Sequence, residues 1–377
     1  MNTKRISICI AAICLILPNG YAKDRKKDDD GKAASLWATP DIESRDLFYG
    51  SGGNAGAPGS GPFEFVEEDK GGNSPKFVVR DPKGDKWKVK VGAEAKPETV
   101  VTRFVWAVGY AVDDDYLLPS QQVLHMPKKL SRGGEFVSSD GTVRDARWER
   151  MGKKKRAEWR WRKNPFSGTR ELNGLRVLMA MFNNYDMKDS QNSIYDRSSG
   201  EVYAVSDLGA TLGSTSSRWP SRSPRGDLSV YSKSDFIKKV TADYVDFAAP
   251  SWPLMFGFLP MPPLPYSVIT YPVKLFGAAP SPNVQSERWI GKRVPRKDVE
   301  WVAGLLARLS RDQIHSAFRA ADYSPDQIDG FTQEVQRRID ALNALSTHES
   351  LASKLRQRKD LLILETPNVE TNRKGNQ

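Results

Sequence analysis

Four short groups of polar residues follow one another along the chain in an order that suits the transfer of a phosphoryl group. In the first group, Gly71 and Gly72 lie between two strand-like segments and Lys76 follows them. Backbone N–H groups of such a turn can approach a phosphate closely, and a lysine beyond the turn adds positive charge. Taken alone, a glycine turn between strands is more often an ordinary hairpin.

The second group sets two lysines beside a carboxylate. In the strand-like segment Trp87-Lys-Val-Lys90, Lys88 and Lys90 lie on one face, because side chains alternate along a strand. Glu98 follows on the apolar stripe of a predicted helix, where a carboxylate needs a cation, and Lys90 is the nearest one in sequence. Two alternatives stay open: Glu98 serves only the helix dipole, or Glu94 pairs with Lys90 in its place.

The third and fourth groups supply side chains suited to a hydroxyl acceptor and to a metal ion. Asp186, Lys188 and Asn192 follow a predicted helix. A carboxylate in this order can deprotonate an acceptor hydroxyl, an ammonium can stabilise the moving phosphoryl group, and an amide oxygen can bind Mg²⁺. Asp207 ends a short strand-like segment before Gly209, a placement that presents a hard oxygen ligand to Mg²⁺ or Mn²⁺. Each group alone is equally typical of an Asp-rich turn.

Together the four groups resemble the parts of the protein-kinase fold. The chain is similar to the atypical kinases that include spore-coat kinases, secretory-pathway kinases, toxin kinases and type II phosphatidylinositol 4-kinases. Trp87-Lys-Val-Lys90 resembles their strand with the ATP-binding lysine, and Gly72-Asn-Ser-Pro-Lys76 resembles their phosphate-side turn. Residues 186–192 resemble the catalytic loop, and Asp207-Leu-Gly209 resembles the metal-binding aspartate motif.

The resemblance implies a phosphotransferase that uses ATP with Mg²⁺ or Mn²⁺. It assigns catalysis to Asp186 and Lys188 and metal binding to Asn192 and Asp207. The residues that it assigns to ATP are Lys76, Lys88, Lys90 and Glu98. The chain departs from the kinase pattern in two places: Asn192 lies one residue farther from Asp186, and no His-Arg pair precedes Asp186.

The pattern of elements indicates an α+β fold, with a strand-rich half before a helix-rich half. Period-two alternation predicts strands near residues 63, 76, 87, 116 and 147. Helical spacing and N-cap signals predict helices that begin near Pro97, Thr169, Ser310 and Ser324. The kinase resemblance implies two lobes, a strand-rich one over residues 63–163 and a helical one over residues 164–345. Residues 23–62 are predicted to be a flexible linker, and residues 346–377 a C-terminal helix or tail.

Residues 1–22 have the composition of a signal peptide. Lys4 and Arg5 precede an uncharged apolar run over residues 6–17, and Gly20-Tyr-Ala22 supplies small residues for cleavage. The run is shorter than the about 20 residues that a membrane-spanning helix needs. We therefore expect an exported protein, periplasmic or secreted, without a transmembrane helix after cleavage; an uncleaved anchor is the alternative.

Composition limits the classes of function. Both cysteines lie within residues 1–22, so the mature chain has no disulfide, cysteine metal site or thiol nucleophile. The chain has 57 Lys+Arg against 46 Asp+Glu, which favours anionic partners. A basic run at residues 153–156 lies near three tryptophans, a combination that can bind single-stranded nucleic acid. A solvated turn with tryptophans facing the core is the commoner arrangement.

The sequence leaves the acceptor open among the hydroxyls of a protein, a glycan and a lipid. Two other functions stay open beside catalysis. One is a catalytically inactive scaffold or binding protein of the cell envelope with a kinase-like fold, and the other, less favoured, is a basic nucleic-acid-binding protein.

Overall fold

The computed structural model describes residues 33–364 except 73, 185, 214–223, 249–252, 257–258 and 264–288. The predicted signal peptide, residues 23–32 of the predicted linker and the tail from residue 365 lie outside the described residues. The residues from Ala33 onward form one compact unit.

Strands predominate in the first half of the described chain, and three successive helices lie near its end. The strands are β1 (Ala34–Ser35), β2 (Phe63–Asp69), β3 (Lys76–Arg80), β4 (Lys86–Lys90), β5 (Ala111–Val112), β6 (Asp115–Leu124), β7 (Thr142–Arg150), β8 (Lys155–Ala157), β9 (Ser193–Arg197), β10 (Gly200–Val205), β11 (Ile237–Val240), β12 (Tyr244–Phe247), β13 (Pro253–Phe256), β14 (Leu259–Pro263) and β15 (Val294–Pro295). The helices are α1 (Ala95–Ala107), α2 (Arg170–Met181), α3 (Leu228–Tyr231), α4 (Arg296–Leu306), α5 (Arg311–Arg319) and α6 (Pro325–Leu364).

Five strands of the first half close into a small barrel in the order β2-β3-β4-β7-β6. Trp87 and Val89 of β4 are buried in its core, and Trp148 of β7 joins them. Because side chains alternate along a strand, Lys88 and Lys90 face away from this core. The barrel therefore fixes the face on which both predicted lysines stand.

Helix α1 joins the barrel to the second half. It packs on β6 and β7, while its apolar residues enter a second and larger core. There Phe104 lies against Phe182, with ring centroids 5.0 Å apart. This double burial fixes α1, and Glu98 with it, relative to both halves.

The predicted helix starts of the second half are confirmed. The Thr169 hydroxyl accepts a hydrogen bond from the Leu172 N–H at the start of α2. Ser310 and Gln313 form a reciprocal capping box at α5. Such caps satisfy backbone donors that the first helical turn leaves without partners.

The α+β class is confirmed, but the second half is less helical than predicted. Strands β9 and β10 pair there, and three short strands from the first half join their sheet, β1 and β5 beside β10 and β8 beside β9. The basic run at residues 153–156 enters this sheet through β8, because β8 pairs with β9. Residues on both sides of the predicted lobe boundary at position 163 thus share one sheet. Periodicity within one segment does not reveal such a pairing between distant segments.

The prediction of a flexible linker is wrong for residues 33–62. Leu36 and Ile42 are buried, and the Gln313 side chain donates a hydrogen bond of 2.7 Å to the Ile42 carbonyl. The glycines of this segment serve close packing. A Cβ on Gly52 would lie 2.0 Å from the Tyr116 hydroxyl oxygen, so only glycine fits there.

Candidate functional site

Lys90 is the centre of a buried group of charges. Its ammonium donates hydrogen bonds to Glu98 Oε2 and to Asp207 Oδ1, each 2.7 Å long, and lies 3.3 Å from Glu94 Oε2. Burial alone would lower the pKa of Lys90, but the carboxylates raise it above its ordinary value. The predicted Lys90–Glu98 pair is present in the structure. The alternative partner, Glu94, lies beside the same ammonium.

Asp207 reaches this group from the end of β10 in a left-handed backbone conformation, with φ of 56°. Aspartate and asparagine tolerate this conformation better than most residues. Burial alone would raise the pKa of Asp207, but Lys90 outweighs burial and holds the pKa at about 2. Asp207 is therefore a carboxylate at neutral pH, the form that binds a divalent metal.

Gly209 lies so close to the start of α1 that no side chain fits at this position. A Cβ on Gly209 would lie 2.6 Å from the Glu94 Cβ and 3.1 Å from Glu98 Oε2. Any side chain at this position would push α1 away from Asp207. The glycine of the Asp-Leu-Gly segment thus allows the carboxylates of α1 and β10 to meet at one lysine.

Asp186 and Lys188 lie on the loop that follows α2. The Lys188 ammonium donates a 2.8 Å hydrogen bond to Asp186 Oδ2. The Asp186 N–H donates to Asn184 Oδ1 over 3.1 Å. The first contact holds the Asp186 carboxylate, and the second holds its backbone.

The amide that meets Asp207 belongs to Gln191 and not to the predicted Asn192. Gln191 Nε2 donates a 2.6 Å hydrogen bond to Asp207 Oδ2, and its Oε1 accepts from the Lys188 N–H. The 3₁₀ turn Asp189–Gln191 carries Gln191 to this position. Gln191 stands five residues after Asp186, the separation of the kinase Asp and Asn, so the spacing was the signal that would have identified it.

Asn192 is fully buried at 0% exposure. Its Nδ2 and Oδ1 atoms make no hydrogen bond with any residue that the structure describes. Asn192 is not among the residues that line the cleft described below. The Asn192 side chain thus lies away from the cleft, and its role as a metal ligand stays a prediction.

A cleft of about 610 Å³ runs from the glycine turn past Lys90 to the segment after β7. The predicted residues that line it are Lys76, Lys88, Lys90, Glu98 and Asp207, together with Gly71 and Gly72. Asp186 and Lys188 are not among its lining residues; they lie on the loop that carries Ser190 and Gln191 into it. The structure thus brings the predicted phosphate-binding residues and Asp207 to one cavity.

Asp207 and Gln191 fit a site for a divalent cation. Mg²⁺ and Mn²⁺ prefer hard oxygen ligands, and an ionised carboxylate beside an amide supplies them. In the structure the Gln191 amide turns its N–H toward Asp207, so its oxygen would need to face the carboxylate for both to bind one ion. Glu94 and Glu98 also lie near Asp207, but the Lys90 ammonium sits among these three carboxylates.

Arg147 is a buried residue of the site that the sequence analysis missed. It lies on β7 and pairs with Glu98 at 3.1 Å and with Glu149 at 2.9 Å. Asp115 lies 3.6 Å from its other terminal nitrogen. The alternation Arg147-Trp148-Glu149 was the available signal, since it places two charges on the face opposite a buried tryptophan.

Asp113 is a second acid of the cleft with an altered proton affinity. The Tyr195 hydroxyl donates to Asp113 Oδ1 over 3.2 Å. Burial and the charge of Glu149 raise the pKa of Asp113 to about 6, against weaker opposing effects of Ser206, Arg147 and Lys88. Asp113 therefore changes charge close to neutral pH.

We expect the Asp113→Asn variant to be more stable than the wild type at pH 8, by on the order of 1–2 kcal/mol. The folded pKa of about 6 lies above the ordinary value of 3.8, so the native state binds this proton more tightly than the unfolded state. Stability is consequently lost as the pH rises through this range. Urea denaturation should show the full difference at pH 8 and a clearly smaller one at pH 4.5, which lies between the unfolded and folded pKa values. Equal differences at both values would contradict the shift.

The tryptophans near the basic run face the interior. Trp148 is 0% exposed, and Trp159 and Trp161 are each 3% exposed. Bases of single-stranded nucleic acid stack on accessible aromatic rings, which these three side chains do not provide.

No helix within the described part of the chain combines the length and the apolar character needed to cross a bilayer.

No family model and no curated protein sequence matches the chain. Among solved structures, the chain is similar to a Helicobacter pylori proinflammatory kinase, CtkA, at 11% identity and a TM-score of 0.41. That match covers 76% of this chain and 97% of the kinase.

Proposed function

We propose that the protein is a kinase-like phosphotransferase that moves the terminal phosphoryl group of a nucleoside triphosphate to a hydroxyl acceptor. The observation that carries the proposal is the position of Lys90, 2.7 Å from both Glu98 and Asp207. A strand lysine, a helix glutamate and a metal-binding aspartate are the groups that must meet in a kinase before it can act. They come from three separate elements, and the fold brings them to one cleft.

The glycine turn and the lysines would bind the nucleotide. Gly72 has φ of 62°, and the turn lies over the cleft beside Lys76. Lys90 would exchange part of its contact with Asp207 for the phosphates, while Glu98 keeps it in place. Positive charge fixed at the phosphates before reaction stabilises the transition state without reorganisation.

Asp207, with Gln191, would hold Mg²⁺ or Mn²⁺, which supplies charge neutralisation at the phosphate oxygens. Asp186 would accept the proton of the acceptor hydroxyl while the hydroxyl oxygen forms a bond to the terminal phosphorus. The bond from that phosphorus to the bridging oxygen breaks, and the nucleoside diphosphate leaves. Lys188, 2.8 Å from Asp186, would stabilise the phosphoryl group during transfer.

The predicted signal peptide supports export, so we propose a periplasmic or secreted site of action with ATP as the first nucleotide to test. The basic composition favours an acceptor that carries negative charge, on a protein, a glycan or a lipid.

A non-catalytic binding protein with the same cleft is the second candidate. The observation that favours it is the Gln191 amide, which presents its N–H to Asp207 at 2.6 Å and so occupies an oxygen that the metal would need. Such a protein would bind nucleotide with little dependence on a metal ion.

A thermal-shift titration with ATP or GTP, each with and without Mg²⁺ or Mn²⁺, tests the proposal. We expect a rise in melting temperature that requires the metal and that the Asp207→Asn variant loses. Asparagine suits the left-handed backbone at this position, so the variant should remain folded. The exposed Asp140→Asn variant is the matched control and should shift as the wild type does.

A shift without metal that Asp207→Asn retains would favour the binding protein. The absence of any shift, with either nucleotide and either metal, would refute a nucleotide site in this cleft.

A further inference from the structure

The part of the cleft beyond the phosphate-binding residues is where the nucleoside would lie. Gly72, Lys90 and Asp207 mark the phosphate end. Lys88 stands two residues before Lys90 on the same face of β4, about 7 Å farther along the strand. From Lys88 the cleft continues to Asp113, Glu149 and Tyr195 and then to the segment after β7.

This end of the cleft is polar and charged. A purine held between apolar side chains would need such residues on both walls, but Met151 is the one large aliphatic side chain among the described lining residues. Lys88 pairs with Glu149 across adjacent strands, with Nζ 3.0 Å from Oε1. A base entering here is therefore bound by hydrogen bonds and charge, with the ring of Tyr195 as an aromatic surface for stacking.

The three carboxylates at this end are not equivalent, and one of them, Asp114, pairs with Lys153 at 2.7 Å. Glu149 Oε1 accepts from Lys88 and its Oε2 accepts from Arg147, so two cations neutralise it. Asp113 receives a hydrogen bond from the neutral Tyr195 hydroxyl, and no salt bridge joins it to a described cation. Asp113 is thus the carboxylate with capacity to accept from a ligand.

A carboxylate distinguishes the two purines by their hydrogen-bonding edges. Guanine presents two parallel donors, the N1–H and the N2 amino group, and a carboxylate can accept both. Adenine presents an acceptor at N1, which a carboxylate repels, beside a single amino donor. Lys88 can in addition donate to the guanine O6.

We propose that the cleft selects guanine nucleotides over adenine nucleotides, with Asp113 accepting from the guanine N1–H and amino group and Lys88 donating to O6. This inference rests on the proposed function, because it presupposes a nucleoside triphosphate in the cleft. Asp113 and Lys88 thereby determine specificity and take no part in the transfer itself.

Calorimetric titration of the purified protein with GTP, ITP and ATP, each with Mg²⁺, tests the inference. GTP should bind about tenfold or more tightly than ATP, the discrimination expected of one good two-bond contact. ITP lacks the amino group and keeps N1–H and O6, so it should bind with intermediate affinity. An asparagine amide can both donate to and accept from adenine, so Asp113→Asn should bind ATP more tightly than GTP. The control, Asp140→Asn, should keep the wild-type order.

ATP binding as tightly as GTP, or more tightly, in the wild type would overturn guanine selection and leave the phosphotransferase proposal intact. Equal affinities of GTP and ITP would overturn the contact from Asp113 to the amino group. Binding of none of the three nucleotides would instead refute the proposed function. The wild-type titrations decide the matter even if Asp113→Asn does not fold.

Discussion

Replacing Asp186 with asparagine is expected to slow phosphoryl transfer by about 10²–10⁴-fold, the usual contribution of a general base. The amide keeps the shape of the side chain and its contact with Lys188, which is 2.8 Å long in the wild type, but cannot take the proton of the acceptor. Nucleotide affinity should remain unchanged, because Asp186 does not line the cleft. The measurement is single-turnover release or transfer of the labelled terminal phosphate, beside a binding titration.

Asp189→Asn is the matched control. Asp189 lies on the same loop, and its Oδ1 accepts a 3.0 Å hydrogen bond from the Trp161 N–H, so its contact supports the loop. Its variant should retain most of the transfer rate. A greater loss of rate in Asp189→Asn than in Asp186→Asn would show that Asp189, and not Asp186, is the general base.

The second large effect concerns stability. We expect Arg147→Met to lower the free energy of unfolding by about 3 kcal/mol, the lower part of the range for removing one partner of a buried ion pair. Arg147 contacts Glu98, Glu149 and Asp115, and each of these acids retains one other cation, which moderates the loss. Urea denaturation at pH 8 measures the change.

Arg150→Met on the same strand is the control. The Arg150 side chain is 47% exposed and pairs with Asp85 at the surface, so its loss should cost about 0–1 kcal/mol. The deficit of Arg147→Met should also shrink as the pH falls. Removing the guanidinium raises the folded pKa values of the acids, and an acid with a raised folded pKa loses stability as the pH rises. Equal deficits for the two arginine variants would contradict the buried network.

The site residues that could be predicted are those whose placement depends on the sequence of a single strand or helix. Lys90 follows from strand alternation in β4, and Glu98 from its position on the apolar stripe of α1. Their 2.7 Å contact confirms the pairing. Asp207 could also be predicted, because an aspartate that follows a short strand and precedes a glycine by two residues is a local sequence pattern.

The parts that could not be predicted depend on packing between distant segments. Asn192 and Gln191 are neighbours of similar chemistry, and the 3₁₀ turn before β9 decides which one faces Asp207. The charge of Arg147 meets Glu98 only after the barrel closes against α1. The glycine-rich stretch before residue 62 has the composition of a linker, whereas its glycines fit against Tyr116.

The burial of the segment that precedes the barrel has a consequence for the order of folding. Glu43 pairs with Arg308 across 265 residues, and Gln313 binds the Ile42 carbonyl across 271. Two contacts of the first described residues thus reach the turn after α4 and helix α5, which the ribosome makes near the end. Contacts of such sequence separation slow folding, because a long loop must close before they contribute. The packing of this segment is therefore complete only after the last part of the described chain has been synthesised.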